Sequence, residues 1–180
     1  MKVRNSALLL AAATMLPIGL IASPAGAAVK TSCKSASGSA TFTPALPKLK
    51  STSKVKPTIK IVGGKLAGCT GGGVTGGTLG ATIKFANAAN CSSLLAGAPS
   101  GAKGTETITW SNKQTSTVTL TLTAVKGQPT QTKTTGVVTA GLFKGAKQTG
   151  TLNYTPVGGG CTTANLSKVT FKQVTPVTFS

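Results

Sequence analysis

Thr117 to Ala124 reads TVTLTLTA. In an extended chain Val118, Leu120, Leu122 and Ala124 fall on one side and Thr117, Thr119, Thr121 and Thr123 on the other. This is the two-residue period of a strand with one buried face. The rhythm recurs in ATFT (Ala40, Phe42), TIKIV (Ile59, Ile61), LGATIKF (Leu79, Ala81, Ile83, Phe85), TLNY (Leu152, Tyr154) and KVTF (Val169, Phe171). Thr and Val, which favour the pleated surface, are abundant, and Gly, Pro, Ser and Asn clusters separate the runs. Strands are expected near residues 38–43, 57–62, 78–86, 103–110, 115–125, 133–140, 147–154 and 167–173. The pattern predicts an all-β chain, an antiparallel β-sandwich, Ig-like or similar, of about eight or nine strands. Only CSSLLAG, Cys91 to Gly97, has the look of a short helical turn.

The N-terminus carries a different signal. Lys2 and Arg4 precede a mostly apolar run from Ala7 to Ile21, and Pro24 and small residues follow up to Ala28. This three-part layout is that of a secretory signal over residues 1–28, which leaves a single domain over 29–180. The run is short and interrupted by Pro17 and Gly19, so it fits a membrane anchor poorly. The expected location is secreted, outside the cell or at its envelope, with no transmembrane segment in the mature chain.

Four cysteines remain in the mature chain, and an oxidising compartment makes two disulfides the expected state. If the strands alternate in direction, Cys33 and Cys69 fall at one end of the sheet and Cys91 and Cys161 at the other. That favours the pairs Cys33–Cys69 and Cys91–Cys161. A metal site is the competing use of four cysteines, but no C-x-x-C pair and no histidine is present.

Charge and missing residue types restrict function. The chain holds 19 Lys and Arg against one acid, Glu106, so removing Lys2 and Arg4 leaves +16. Such a field attracts anionic surfaces within roughly 10 Å at moderate salt. Lysine without arginine supplies point charges and not the bidentate fork that selects individual phosphates. No Ser-His-Asp triad can be assembled without His or Asp, and no carboxylate pair from one glutamate. The reading is non-enzymatic, with no catalytic residues, no cofactor and no metal.

Several local motifs have plainer readings than the ones they spell. CTGGGVTGG, Cys69 to Gly77, spells G-x-G-x-x-G, but an alternating strand follows it where a dinucleotide site needs a helix. It is read as a glycine-rich turn joining antiparallel strands. Ser51-Thr52-Ser53-Lys54 matches S-x-x-K within a Lys/Ser/Pro-rich connection and is read as a solvated linker. Glu106 shares strand parity with Ile108 and Trp110, the side expected to be apolar. The plainer expectation is that it reaches solvent near a strand end and pairs with a lysine. The sharper one is an isopeptide bond involving Lys84 and Asn153. Trp110 is expected in the core.

In PKLKSTSKVKPTIKI, Lys48, Lys50, Lys54, Lys56 and Lys60 share even parity. If extended, the stretch offers one basic face, either a lysine-guarded edge strand or a landing strip for an anionic polymer. Specific nucleic-acid binding is not expected, because Phe42, Phe85, Trp110, Tyr154 and Phe171 occupy inward positions and do not interleave with the lysines.

The runs ATFTPAL, GCTGGGVTGGT, NCSSLLAG, TWSNKQTSTV, VVTAGLFKG and GGCTTANLSKVTF together resemble a group of small secreted, β-rich actinobacterial proteins. The resemblance implies export and a β-rich fold, and implies no activity. From the residues themselves, the expected function is adhesion to anionic envelope or extracellular polymer through lysine charge. The alternative is a protein–protein module, an adaptor or inhibitor of a secreted assembly that uses an edge strand for β-augmentation.

Overall fold

A computed structural model describes residues 31–96 and 101–180. The signal segment expected over residues 1–28 lies outside them. The described chain forms eight antiparallel strands: β1 (Thr31–Leu46), β2 (Thr58–Thr70), β3 (Gly76–Lys84), β4 (Ala102–Trp110), β5 (Thr115–Val125), β6 (Gln128–Gly141), β7 (Lys147–Pro156) and β8 (Leu166–Phe179). One helix, α1 (Cys91–Leu95), lies between β3 and β4. Each strand pairs with its sequence neighbour, and β8 returns to pair with β1, so the sheet closes into a barrel. The all-β antiparallel reading therefore holds, while the sandwich is corrected to a closed up-and-down barrel.

Alternation does not distinguish the two architectures, because a strand buries one face in either. Closure depends on how strongly the sheet coils, and here bulges and glycines bend it. Register shifts interrupt β1 against β2 between Ser37 and Ala40, and β8 against β7 around Thr151. Such bulges increase local twist. At Gly104 the neighbouring strand comes so close that a Cβ would overlap the carbonyl oxygen of Thr82 and lie 2.6 Å from the Ile83 Cα. Only a residue without a side chain fits there.

Closure also removes the edge strand on which two expectations relied. Every described strand is hydrogen-bonded on both sides, so β-augmentation has no edge to extend, and the lysine-rich stretch does not guard one. Residues 47–57 form a connection across one end of the barrel. Its Val55 bridges to Ala89, and a turn at Leu49 and Lys50 breaks the extended course that would align the lysines.

The barrel is stoppered differently at its two ends. At one, Trp110 meets Phe143 and Phe179 edge-on, with ring centroids 5.3 Å apart in both pairs. The Trp110 Nε1–H donates to the Ser116 hydroxyl at 2.8 Å, and that hydroxyl donates in turn to the Leu142 carbonyl. The polar corner of the indole is thus satisfied while its ring is buried, the usual condition for tryptophan in a core. Cys33, opposite Cys69 in the β1–β2 ladder, forms a disulfide with it near this end.

At the other end α1 lies across the opening. Asn90 caps it by accepting from the Ser93 N–H, while the Ser93 hydroxyl accepts from the Asn90 N–H, so both ends of a capping box are present. The Asn90 amide also donates to the Ser51 carbonyl at 2.8 Å, which ties the 47–57 connection to the helix. A second disulfide, Cys91–Cys161, fastens α1 to the β7–β8 loop. Two disulfides agree with formation in an oxidising environment.

Outward faces carry Thr and Lys, and inward faces carry Leu, Ile, Val, Ala and Phe. A lipid-facing barrel has the reverse arrangement.

Candidate functional site

Eight strands enclose an interior wide enough for side chains to fill or for one small ligand. Here the filling is incomplete. A cavity of about 100 Å³ lies between the aromatic stopper and α1. Its wall is apolar over β1, β2, β3, β5 and β8, with Phe42, Ile83, Leu120 and Phe171 among the contributors, and Leu94 of α1 closes it from above. The polar lining comes from β4, β6 and β7: Glu106, Thr132, Thr134 and Gln148, with Tyr154 beside them.

Glu106 is the centre of this polar side. It is 5% exposed, which corrects the expectation that it reaches solvent and pairs with a lysine. The parity with Ile108 and Trp110 prevails over position along the strand, because all three side chains point into the barrel. Its partner is Gln148, whose Nε2–H donates to Glu106 Oε2 at 3.2 Å. Burial pushes the carboxyl up to about 7, and the Gln148 hydrogen bond opposes part of that rise. The isopeptide arrangement is not assembled. Glu106 stands opposite Ala81 in the β3–β4 ladder, and Lys84, three residues on, takes the opposite face and is exposed.

Three polar atoms are buried without a partner among the described residues: Glu106 Oε1, Gln148 Oε1 and Gln173 Oε1. Gln173 lies outside the cavity lining and donates from Nε2 to the Cys33 carbonyl. The other two belong to side chains that line the cavity. A buried polar atom left unpaired costs about 1–3 kcal/mol, so a native fold retains such a pair where something meets it. Thr134, by contrast, donates to the Gly150 carbonyl, and the Tyr154 hydroxyl donates to the Pro129 carbonyl at 2.6 Å. Burial pushes the Tyr154 phenol up to about 12, which keeps it a donor at neutral pH.

Strand parity pointed Glu106 to the apolar side, although an exposed ion pair was the plainer expectation, and Gln148, Thr132 and Thr134 were missed altogether. The signal for Gln148 was present. It shares parity with Leu152 and Tyr154, two inward residues of the same strand, and needed only the strand to be followed back four positions. Thr132 and Thr134 share parity with buried Val138, but the adjacent Val137 blurs which face is apolar.

The lysine sites lie elsewhere. Lys48, Lys50, Lys54, Lys56 and Lys60 are all exposed, yet only Lys60 belongs to a strand, so the single extended basic face is not formed. Lysines on every strand except β5 and on several connections are exposed as well, and the chain's one acid is inside the barrel. The glycine loop is a turn between β2 and β3, with Gly71, Gly72 and Gly73 at positive φ and a strand after it. Among the described residues no group of histidine, cysteine and carboxylate side chains is placed to hold a metal ion. No protein-family model, curated protein or solved structure matches the chain, so the reading of the site rests on its own geometry.

Proposed function

We propose that this is an exported, non-catalytic binding protein that holds a small, mainly apolar molecule inside its barrel. The observation that carries the reading is the cavity itself, an apolar chamber with one buried carboxyl–amide pair whose outer oxygens lack partners. A solitary carboxyl gives neither a nucleophile–base pair nor paired acid and base, so capture and not turnover is the chemistry on offer.

Size limits the ligand. An apolar cavity of about 150 Å³ takes benzene, near 25 Å³ per heavy atom. By that measure the roughly 100 Å³ found here admits about four heavy atoms. At a ceiling of about −1.5 kcal/mol per atom the binding free energy is at most about −6 kcal/mol, a Kd in the tens of micromolar. Larger molecules require α1 and Leu94 to move.

Xenon tests the chamber directly, since it reports apolar space without any polar demand. Under xenon pressure, methyl resonances of Ile83, Leu120 and Val177 are expected to shift. If they stay fixed, the interior is closed to ligands and the reading is lost.

A second reading concerns the exterior. With Glu106 buried, the described surface carries many lysine ammonium groups and no acidic side chain, which supports adhesion to anionic envelope or extracellular polymer through diffuse charge. Retention on immobilised polyphosphate should then fall steeply between about 50 and 200 mM salt. Retention that ignores salt, or is absent at 50 mM, removes this reading.

A further inference from the structure

We infer that the molecule held in the barrel ends in a neutral hydroxyl group, which seats against Glu106 and Gln148 while its apolar body lies among the β1, β3 and β5 side chains. The inference rests on the reading of the cavity as a ligand site and specifies the chemistry of what enters it.

The polar demand of the chamber is one-sided. Its two unpartnered atoms, Glu106 Oε1 and Gln148 Oε1, flank a single hydrogen bond, and both are oxygens. A bare hydrocarbon fills the space but leaves them orphaned, which forfeits the hydrogen bonds that water would otherwise make there. A hydroxyl donates to one of them and accepts as well. It therefore suits Glu106 both as a carboxylate and as a neutral acid, the two forms that interchange near neutral pH for this buried group.

Charged ends fit less well. A carboxylate meets Glu106 with no cation inside to offset it, because every described lysine is exposed. An ammonium group must shed its water to enter an apolar chamber, and it must first pass an exterior of the same sign. Gln148 satisfies half of the Glu106 carboxyl already, so the site is arranged for a neutral partner and not for a full counter-ion.

A set of small probes of four heavy atoms each, about the number the cavity admits, tests this: butane, 1-propanol, propylamine and acetate, titrated at pH 7 against the full mature protein. The Gln148 side-chain amide resonance and the methyls of Ile83 and Leu120 serve as readouts. The expected result is a Kd for 1-propanol at least tenfold lower than for each of the others. Glu106→Gln, which keeps an oxygen acceptor, should retain that preference, and Glu106→Leu should reduce it below threefold. Should Glu106→Leu fail to fold, the probe series on the wild type and on Glu106→Gln still decides. Equal affinities, or a preference for the amine, the acid or the hydrocarbon, overturn the inference and leave interior binding standing. If none of the four binds while xenon enters, the inference again fails alone. If xenon is excluded too, the site reading falls with it.

Discussion

Replacing Glu106 by glutamine should abolish nearly all dependence of folding stability on pH between 4 and 8. The chain contains no histidine, and Glu106 is its only acidic side chain. The terminal carboxyl and amine titrate near about 3.5 and 8, so they bracket the window without filling it. In the folded barrel burial raises the Glu106 carboxyl from 4.5 to about 7. The native state therefore keeps its proton over a range in which the unfolded chain has released it. Below pH 4.5 both states are protonated and stability is greatest. As pH rises from 4.5 to about 7 the unfolded chain binds fewer protons than the native one, and stability falls by up to about 1.4 kcal/mol per pH unit. Above 7 both are ionised and the curve levels off. The total loss is roughly 3 kcal/mol, or about 6–12 °C in Tm for a domain of this size. Urea unfolding at constant ionic strength with the disulfides intact measures it, with the single tryptophan, Trp110, as the fluorescent reporter. The Glu106→Gln profile should be flat and should lie above the wild type by about 3 kcal/mol at pH 8. A wild-type profile that is level or rising from pH 4.5 to 7 refutes the argument, and so does a variant that declines in parallel.

Two further outcomes follow from the packing. Replacing Cys91 and Cys161 together by serine opens a link spanning 70 residues, with an expected loss of about 4 kcal/mol by denaturant titration. Because that link fastens α1, amide exchange should quicken in residues 91–95 well before it does in β4 or β5. Gly104→Ala forces a methyl group onto the β3 backbone, so it should cost about 2–3 kcal/mol or prevent folding altogether; a melting temperature within about 2 °C of the wild type contradicts the described closeness of β3 and β4.

The strands themselves were largely legible. TVTLTLTA matches β5, whose Val118, Leu120 and Leu122 are buried, and the short helical look of Cys91 to Gly97 corresponds to α1. Two-residue periodicity is a local property, so it can be read one segment at a time. The candidate site was legible only in part. Parity pointed Glu106 inward, but the abundance of lysines made an exposed ion pair the plainer expectation. What opposes Glu106 is Gln148, 42 residues away on a strand that is not its ladder neighbour. No local pattern carries that pairing.

From the order of residues alone came an all-β chain of about eight or nine strands, a basic exterior and the absence of the side chains that most hydrolytic mechanisms require. Whether that ribbon forms two facing sheets or a ring depended on β8 meeting β1, a contact between opposite ends of the described chain. Coiling accumulates from bulges and close glycine approaches along the whole sheet, and its sum determines whether the last strand reaches the first. Once the ring closes, free edges vanish, the lone glutamate is sealed in an apolar chamber and its carboxyl holds its proton up to about pH 7. These properties belong to the enclosure and to no single segment of the chain.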